Sequence, residues 1–202
     1  MDNKLGDQWV PCSGCGYSVT ISELDDNGDC ETCQASTFSR LADRMSTLGF
    51  VLTRADTLAP VEGAPDRLAG TFDGVNIVVS YKVSDSAAIF LACHTFGHCQ
   101  SWIRDPSLRE QDASDPSWAG RPDRVSFAQA SENEANCYGL GLLTEVAPEH
   151  VETYLDLARK DWKAFANYLG DSDDTQLGEI VPNVDLRAAV STVRIAAAFE
   201  LD

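Results

Sequence analysis

Hydrophobic and polar positions divide the chain at about residue 36. Residues 1–36 are polar and turn-rich and contain too few large apolar side chains to bury a core of their own. Beyond that point apolar positions recur at helical or alternating spacing, which predicts a larger folded domain. We therefore expect two unequal modules, residues 1–36 and residues 37–202.

In the larger module the spacing predicts helices around a short sheet. Residues 36–48 have helical periodicity, with Gly49 as the cap before a strand at 50–52. Asp73-Gly74 between two apolar runs predicts a β-hairpin. Further helices are predicted at about 84–102, 126–143, 148–169 and 184–199, with an irregular loop at 105–124. The fold class expected is α+β, with a short antiparallel sheet and about five helices.

Length and charge restrict the classes of partner. With 202 residues and 44% hydrophobic positions, the chain can bury a substantial core. Its formal net charge of −17 repels phosphate backbones, which disfavours nucleic acid and favours a protein partner. The longest apolar stretch, residues 87–93, is too short to span a membrane, and no basic segment precedes an apolar run at the N-terminus. We expect a cytoplasmic protein and leave its oligomeric state open.

Four of the seven cysteines form two Cys-x-x-Cys pairs. Cys12 and Cys15 are separated from Cys30 and Cys33 by fourteen residues, close to the spacing at which two turn-borne pairs bind one tetrahedral zinc. Four thiolates leave no position open for a substrate. The sequence therefore predicts a zinc ribbon over residues 1–36, whose structural metal replaces the missing core.

Two further features of the predicted ribbon bear on its role. Redox-active dithiols are the alternative interpretation, but such pairs normally start a helix, and neither pair is predicted to do so. Residues 1–36 carry seven acidic side chains against the single Lys4, a net charge of −6 (1 − 7). This acidity favours a protein partner for the ribbon over nucleic acid.

A second candidate site lies on the predicted helix at 84–102. His94 and His98 are four residues apart, so both imidazoles project from one helical face and can reach one metal ion. The segment 132–136 on the next helix can add a carboxylate and complete a two-histidine, one-carboxylate zinc set with an open fourth position. The alternative is a pair of satisfied core histidines in a domain that binds no metal.

Two segments carry a resemblance to a known family. Residues 90–98 read FLACHTFGH and residues 132–143 read ENEANCYGLGLL. They resemble the core of ImmA/IrrE-type metallopeptidases, in which a His-Glu-hydrophobic-Gly-His helix is followed by a Glu-Ala-Asn helix that ends in Leu-Leu. The resemblance covers about residues 40–147 and implies a zincin-like metallopeptidase fold. By position it implies that His94, His98 and Glu134 are the metal ligands.

The chain departs from this family at Thr95, where the family has its general-base glutamate. A threonine hydroxyl cannot accept a proton near neutral pH, and losing such a base removes about two to four orders of magnitude of rate. Glu132 is one substitute to consider, although it lies about 200° around the helix from Glu134 and so should point away from the metal. A side chain from the loop 105–124 is another, and Cys137 is a candidate for an extra ligand.

Three functions follow from these expectations. The family cleaves repressor or regulator proteins, often encoded by phages and mobile elements, so the resemblance implies a regulatory role. The first hypothesis is a zinc-binding pseudo-peptidase that binds a protein partner without cutting it. The second is an active zinc-dependent peptidase with a non-standard base, and the third is a structural adaptor in which only the ribbon holds zinc.

We interpret the remaining candidate residues as structural. His150 is expected at the surface near a helix start, and Cys93 and Cys99 are expected to be small buried residues. The acidic run at 171–174 lacks the spacing of a known calcium loop and is interpreted as a solvated turn.

Overall fold

The fold is α+β. The computed structural model describes residues 9–12, 18–24, 30–56, 58, 69–106, 108, 123–169 and 176–189, with the backbone alone for 31 and 33–36. The strands are β1 (Trp9–Pro11), β2 (Ser18–Thr20), β3 (Val51–Ala55), β4 (Gly70–Phe72) and β5 (Asn76–Ser80). Four α-helices lie in these residues: α1 (Glu31–Thr47), α2 (Asp85–Arg104), α3 (Arg124–Val146) and α4 (Val151–Tyr168). Two 3-10 turns occupy Ile21–Glu23 and Pro148–His150.

The strands form two separate sheets. β1 and β2 pair antiparallel near the N-terminus, and the second sheet has the order β3-β5-β4. β4 and β5 are antiparallel, but β3 runs parallel to β5. The prediction of an antiparallel sheet is therefore wrong for β3. Apolar alternation reveals which residues are buried but carries no information on strand direction.

The Asp73-Gly74 hairpin is confirmed. Oδ1 of Asp73 accepts the backbone N–H groups of Val75 at 2.9 Å and of Asn76 at 2.7 Å. Gly74 has a φ of 95°, a conformation that side-chain-bearing residues rarely adopt. The turn directs β5 into the middle of the sheet, where Ile77 and Val79 are fully buried.

Helix α1 connects the N-terminal segment to the core. It begins at Glu31 with Cys30 as its N-cap, so the expected module boundary at residues 36 and 37 falls inside one helix. Leu41 and Met45 on its inner face have no exposed surface. Gly49, with a φ of 84°, ends the helix as expected. The segment that carries the second cysteine pair is thus continuous with a helix anchored in the core.

Helices α2 and α3 pack against each other with their backbones nearly in contact. A Cβ on Gly97 would lie 1.9 Å from the carbonyl oxygen of Ala135, and one on Gly139 would lie 2.6 Å from that of Cys93. Each glycine lowers helix stability by roughly 1 kcal/mol relative to alanine, but it allows the two helix backbones to pack closely. Although α2 is buried on nearly every side, no described helix is both long and apolar enough to cross a membrane.

The segment 176–189 has no regular secondary structure and contacts α2 and α3. The N–H of Asn183 donates to the carbonyl of Cys137 at 2.8 Å, and the side chain of Gln100 bonds both the N–H and the carbonyl of Arg187. The helix predicted from residue 184 is therefore wrong over 184–189, because these backbone groups are paired with other elements. Its remaining residues, 190–199, lie outside the described residues.

Candidate metal centre

Two histidines of α2 and one glutamate of α3 form a compact cluster. Nε2 of His94 lies 3.1 Å from Oε2 of Glu132, and Nε2 of His98 lies 3.5 Å from Oε1 of the same carboxylate. The two Nε2 atoms are 3.2 Å apart. The three side chains are between 11% and 16% exposed, so the cluster is largely shielded from water but still reachable.

These separations fit the ligand shell of a tetrahedral ion. Zinc binds histidine nitrogen and carboxylate oxygen at about 2.0–2.2 Å, which places neighbouring ligand atoms about 3.3–3.5 Å apart at tetrahedral angles. The distances of 3.1 Å from Nε2 of His94 to Oε2 of Glu132 and of 3.2 Å between the two Nε2 atoms lie close to that value, and Nε2 of His98 lies 3.5 Å from the other oxygen of the same carboxylate. The group can therefore hold a metal ion with three protein ligands and one position left for water or another ligand.

The carboxylate in this cluster is Glu132 rather than Glu134. Glu134 instead pairs with Arg104 at the end of α2. The two glutamates do lie on opposite sides of α3, as helical geometry requires. The expectation that Glu132 points away was wrong because it took Glu134 as the residue facing the histidines. A usable signal was present in the sequence: Glu132 and Asn136 have the same four-residue spacing as His94 and His98.

Asn136 supports the cluster from the next turn of α3. Its Oδ1 lies 3.2 Å from Nδ1 of His94, and its Nδ2 donates to the backbone carbonyl of Glu132 at 2.8 Å. Asn136 is only 2% exposed. Sequence reasoning did not single out this residue, which contacts one candidate ligand and the backbone of another.

Aromatic rings restrict the two imidazoles further. The ring of Phe90 stacks on His94 with centroids 5.3 Å apart, and the ring of Phe72 in β4 stacks on His98 at 5.9 Å. Trp102 lies against Phe72 at 4.7 Å. These contacts limit imidazole rotation and exclude water from one side of each ring.

The charges of the cluster are mutually dependent. Burial by itself would lower the pKa of His94, but the Glu132 carboxylate outweighs it and the pKa is raised. Burial would raise the pKa of Glu132, yet His98 and His94 hold it well below its ordinary value. In the metal-free protein, the protonated form of His94 and the ionised form of Glu132 therefore stabilise each other.

Asp161 on α4 lies within electrostatic reach of this group. Partial desolvation raises its pKa, His94 and His98 lower it, and Glu132 raises it, with a net increase. Asp161 follows Tyr154 by two helical turns on the same side of α4. It was not identified from the sequence, because nothing in the local pattern indicates which face of α4 meets α2 and α3.

Thr95 does not face the cluster as a proton acceptor. Its hydroxyl donates back to the carbonyl of Leu91 within α2, and the residue is 8% exposed. This internal hydrogen bond commits the hydroxyl proton to the helix backbone. The position that carries the general base in the resembled family therefore contributes no base here.

The cysteine region shows one close approach. Cys12 and Cys30 are 2% and 8% exposed, and the N–H of Cys30 points at Sγ of Cys12 at 3.2 Å. Cys15 lies outside the described residues, as does the side chain of Cys33. N–H groups directed at sulfur stabilise thiolates, which is the state a metal requires.

The second cysteine pair begins a helix. Cys30 is the N-cap of α1 and Cys33 lies in its first turn. The expectation that neither pair starts a helix is wrong for this pair, so helix position does not separate a zinc site from a redox-active dithiol here. The four-cysteine zinc site remains a prediction that rests on the spacing and on the approach of Cys12 to Cys30.

The other sequence candidates lie elsewhere. Cys93 and Cys99 are fully buried, as expected. Cys137 is half-buried and is not part of the metal-binding group. His150 was expected at the surface, but it is 2% exposed, with Nε2 3.4 Å from Oγ1 of Thr37 in α1. It helps to join α1 to the start of α4.

Searches of protein-family models, curated proteins and solved structures find no match to this chain.

Proposed function

We propose that this protein is a zinc-binding, metallopeptidase-like regulatory protein that binds a protein partner without cleaving it. The observation that carries the proposal is the cluster of His94, His98 and Glu132, in which the two Nε2 atoms lie 3.2 Å apart and each lies 3.1–3.5 Å from a different oxygen of the carboxylate. The resemblance of residues 90–98 and 132–143 to ImmA/IrrE-type metallopeptidases supports the same reading.

The donor set favours zinc. Two imidazoles and one carboxylate form the ligand set of many catalytic zinc sites. Once bound, zinc would act as a Lewis acid toward a carbonyl oxygen or a water molecule. Around it, His94 and His98 would be held by their stacked rings, and Glu132 would supply the negative charge that keeps both imidazoles in place.

The absence of cleavage follows from Thr95. Its hydroxyl is hydrogen-bonded to the carbonyl of Leu91 and cannot take up a proton at neutral pH. Glu132, the substitute base considered from the sequence, already belongs to the ligand set. A site that can bind a carbonyl-bearing segment but lacks a base suits recognition better than hydrolysis.

Zinc content per chain tests the metal centre. We expect two zinc ions in the native protein and one in His94→Ala. Glu132→Gln should also lose one, whereas the matched variant Glu134→Gln should keep both. If the native protein held one zinc and His94→Ala kept it, only the cysteine site would bind metal. If Glu134→Gln lost a zinc and Glu132→Gln did not, Glu134 would be the ligand, as first expected from the family.

The cysteine region is the proposed docking module. Its predicted zinc would be held by Cys12, Cys15, Cys30 and Cys33, and Cys12→Ser should remove one zinc while the histidine centre stays loaded. Because residues 1–36 carry a net charge of −6 (1 − 7), we propose a basic protein surface as the contact. Undiminished partner binding by residues 30–202, in which α1 and its N-cap stay whole, would contradict this role.

A second candidate function is metal-dependent hydrolysis with Asp161 as the proton acceptor. The position of this carboxylate favours it, on the same side of α4 as Tyr154 and within electrostatic reach of His94 and Glu132. Its expected signature is activity toward a protein substrate that is chelator-sensitive and lost in Asp161→Asn. If the zinc-loaded native protein does not cleave but the zinc-loaded Thr95→Glu variant does, the result would support the pseudo-peptidase instead, since that change restores the missing base.

A further inference from the structure

We propose that Tyr154 is a positioning residue that fixes the tautomer of His94 through Asn136. Its hydroxyl sets the orientation of the Asn136 amide, and that amide decides which imidazole nitrogen carries the proton. The inference rests on the proposed metal centre for its consequence, but its central statement concerns the metal-free protein.

The contacts form a continuous chain across three helices. Oη of Tyr154 in α4 lies 3.0 Å from Oδ1 of Asn136 in α3, and this oxygen lies 3.2 Å from Nδ1 of His94 in α2. The other end of the amide, Nδ2, donates to the carbonyl of Glu132 at 2.8 Å. Tyr154 and Asn136 are each 2% exposed, so water does not compete for these bonds.

The proton positions follow from this arrangement. A backbone carbonyl only accepts, so the amide nitrogen faces Glu132 and the amide oxygen faces Tyr154 and His94. That oxygen has no proton, hence both of its partners must donate. His94 is therefore protonated at Nδ1 when neutral, and its Nε2 can accept a hydrogen bond from Nε2 of His98, 3.2 Å away.

Tyr154 keeps the amide from turning over. If Asn136 flipped, its NH₂ group would face two donors, and the tyrosine hydroxyl would lose its nearer acceptor inside the core. Burial raises the pKa of Tyr154 well above its ordinary value, so the hydroxyl keeps the proton that it donates. The wrong amide orientation, and with it the wrong tautomer, is thus penalised.

The absence of a side chain at Gly139 makes room for the hydroxyl of Tyr154. A Cβ at this position would lie 2.5 Å from Oη of Tyr154 and 2.6 Å from the carbonyl of Cys93. The same missing side chain that lets α2 approach α3 therefore also admits the tyrosine to Asn136. Phe90 holds the tyrosine ring from the other side, with centroids 5.2 Å apart.

The consequence concerns metal binding. A zinc ligand needs an unprotonated nitrogen, and an imidazole with its proton fixed at Nδ1 presents Nε2 without a rearrangement. Loss of such an outer hydrogen-bond partner typically lowers metal affinity about 10- to 100-fold. Tyr154 would thus strengthen metal binding although it touches neither the ion nor its ligand atoms.

The test uses Tyr154→Phe in the full chain, which removes one oxygen and keeps the ring. The matched control is Tyr138→Phe, because Tyr138 is 3% exposed and is not one of the groups in this chain of contacts. Long-range ¹H–¹⁵N NMR of the metal-free protein, at a pH where the imidazole is neutral, reports the tautomer of His94. Titration with zinc alone reports affinity.

The native protein and Tyr138→Phe should show the Nδ1–H tautomer and equal zinc affinity. Tyr154→Phe should show a mixture of tautomers and about tenfold or greater loss of affinity. Adding Asn136→Asp to Tyr154→Phe should restore the Nδ1–H form, because a carboxylate cannot present a donor to His94. A merely structural role for the tyrosine hydroxyl would not produce this rescue.

Two results would overturn the inference: native His94 protonated at Nε2, or Tyr154→Phe with unchanged tautomer and unchanged zinc affinity. If Tyr154→Phe failed to fold, Asn136→Asp alone would still test the chain, since an Nε2–H form in that variant contradicts it. If native protein bound no zinc at the histidine centre while its tautomer still depended on Tyr154, the proposed function would fail and the positioning role would stand.

Discussion

The histidine centre and the cysteine region bring distant residues together by different means. In the histidine centre, the close packing of α2 on α3 at Gly97 and Gly139 sets the geometry. In the cysteine region, two three-residue strands surround few buried groups: within the described part of residues 9–30, the buried side chains are Cys12 and Cys30. The packed core positions the residues of the first site, whereas the second site has too few buried groups around it to be positioned in this way. A metal would therefore stabilise the fold in one region and occupy a prepared site in the other.

Removing metal should separate the two regions most clearly, because the structure at the N-terminus should be lost and that of the histidine centre should remain. Binding to a structural four-cysteine site is worth about 10–16 kcal/mol in small zinc modules, far more than these strands can supply by burial. With a strong chelator we expect amide protection to disappear in residues 9–12 and 18–24 and in the first turn of α1. Protection should persist in α2 and α3, which hydrogen-exchange mass spectrometry can follow.

Cys12→Ser and His94→Ala serve as a matched pair for that experiment. Each removes one proposed ligand, but only Cys12→Ser should unfold its own region. Equal loss of protection around both sites would show that the histidine centre also depends on metal for its structure, and the contrast between the two regions would fail.

Gly97→Ala should disrupt the centre from within the core. The added Cβ would lie 1.9 Å from the carbonyl oxygen of Ala135, so α2 and α3 must move apart. We expect a loss of about 1–3 kcal/mol in the free energy of unfolding, together with weaker zinc binding. Denaturant unfolding and zinc titration measure the two effects.

Gly178→Ala is the control for that change. Its Cβ would lie 3.5 Å from the side chain of Asn133, an ordinary contact, and stability should change by less than about 1 kcal/mol. Similar losses in both variants would mean that the close contact of α2 with α3 does not explain the effect, because alanine favours a helix over glycine and Gly178 lies outside the helices.

The stability of the metal-free protein should depend on pH in a defined direction. The pKa of His94 is raised above 6.5, so its contribution is complete below 6.5 and is lost as pH rises through the folded-state pKa. The pKa of Glu132 is lowered below 4.5, so its contribution is complete above 4.5 and is lost in more acidic solution.

Both contributions are present together between pH 4.5 and 6.5, and the free energy of unfolding should decline on either side. Urea titrations in the presence of chelator can measure this profile, which should flatten on its alkaline side in His94→Gln. With zinc bound the alkaline trend should reverse, because protons compete with the metal for the imidazole. If the alkaline decline in the free energy of unfolding persisted in His94→Gln, a group other than His94 would be responsible for it.

The smallest effect is expected for Arg44→Ala. Arg44 forms two hydrogen bonds with Glu145, at 2.8 and 3.2 Å, but both side chains are about a third to a half exposed. Such pairs are worth about 0–1 kcal/mol, whereas Leu41→Ala in the same helix should cost about 2–5 kcal/mol. Thermal denaturation of the two variants would show whether burial or charge holds α1, the helix shared by both regions, against the core.

Local patterns predicted the helices and turns well where neighbouring residues decide the structure. The Asp73-Gly74 hairpin, the end of α1 at Gly49 and the start of α2 near residue 84 all follow from short-range spacing. The predictions failed where a distant element supplies the partner. Residues 184–189 are not helical because Gln100 of α2 and the carbonyl of Leu48 at the end of α1 bond their backbone, and His150 is buried because α1 covers it.

The sequence by itself determined which chemistry is available: two cysteine pairs, a histidine pair on one helical face, a threonine beside the first of these histidines, and a strongly acidic chain. Tertiary structure decided which carboxylate joins the histidines. Helical spacing states that Glu132 and Glu134 face opposite ways, but it cannot say which way α2 lies. The contact of Gly97 with Ala135 settles that orientation, and with it the places of Glu132, Asn136 and Tyr154.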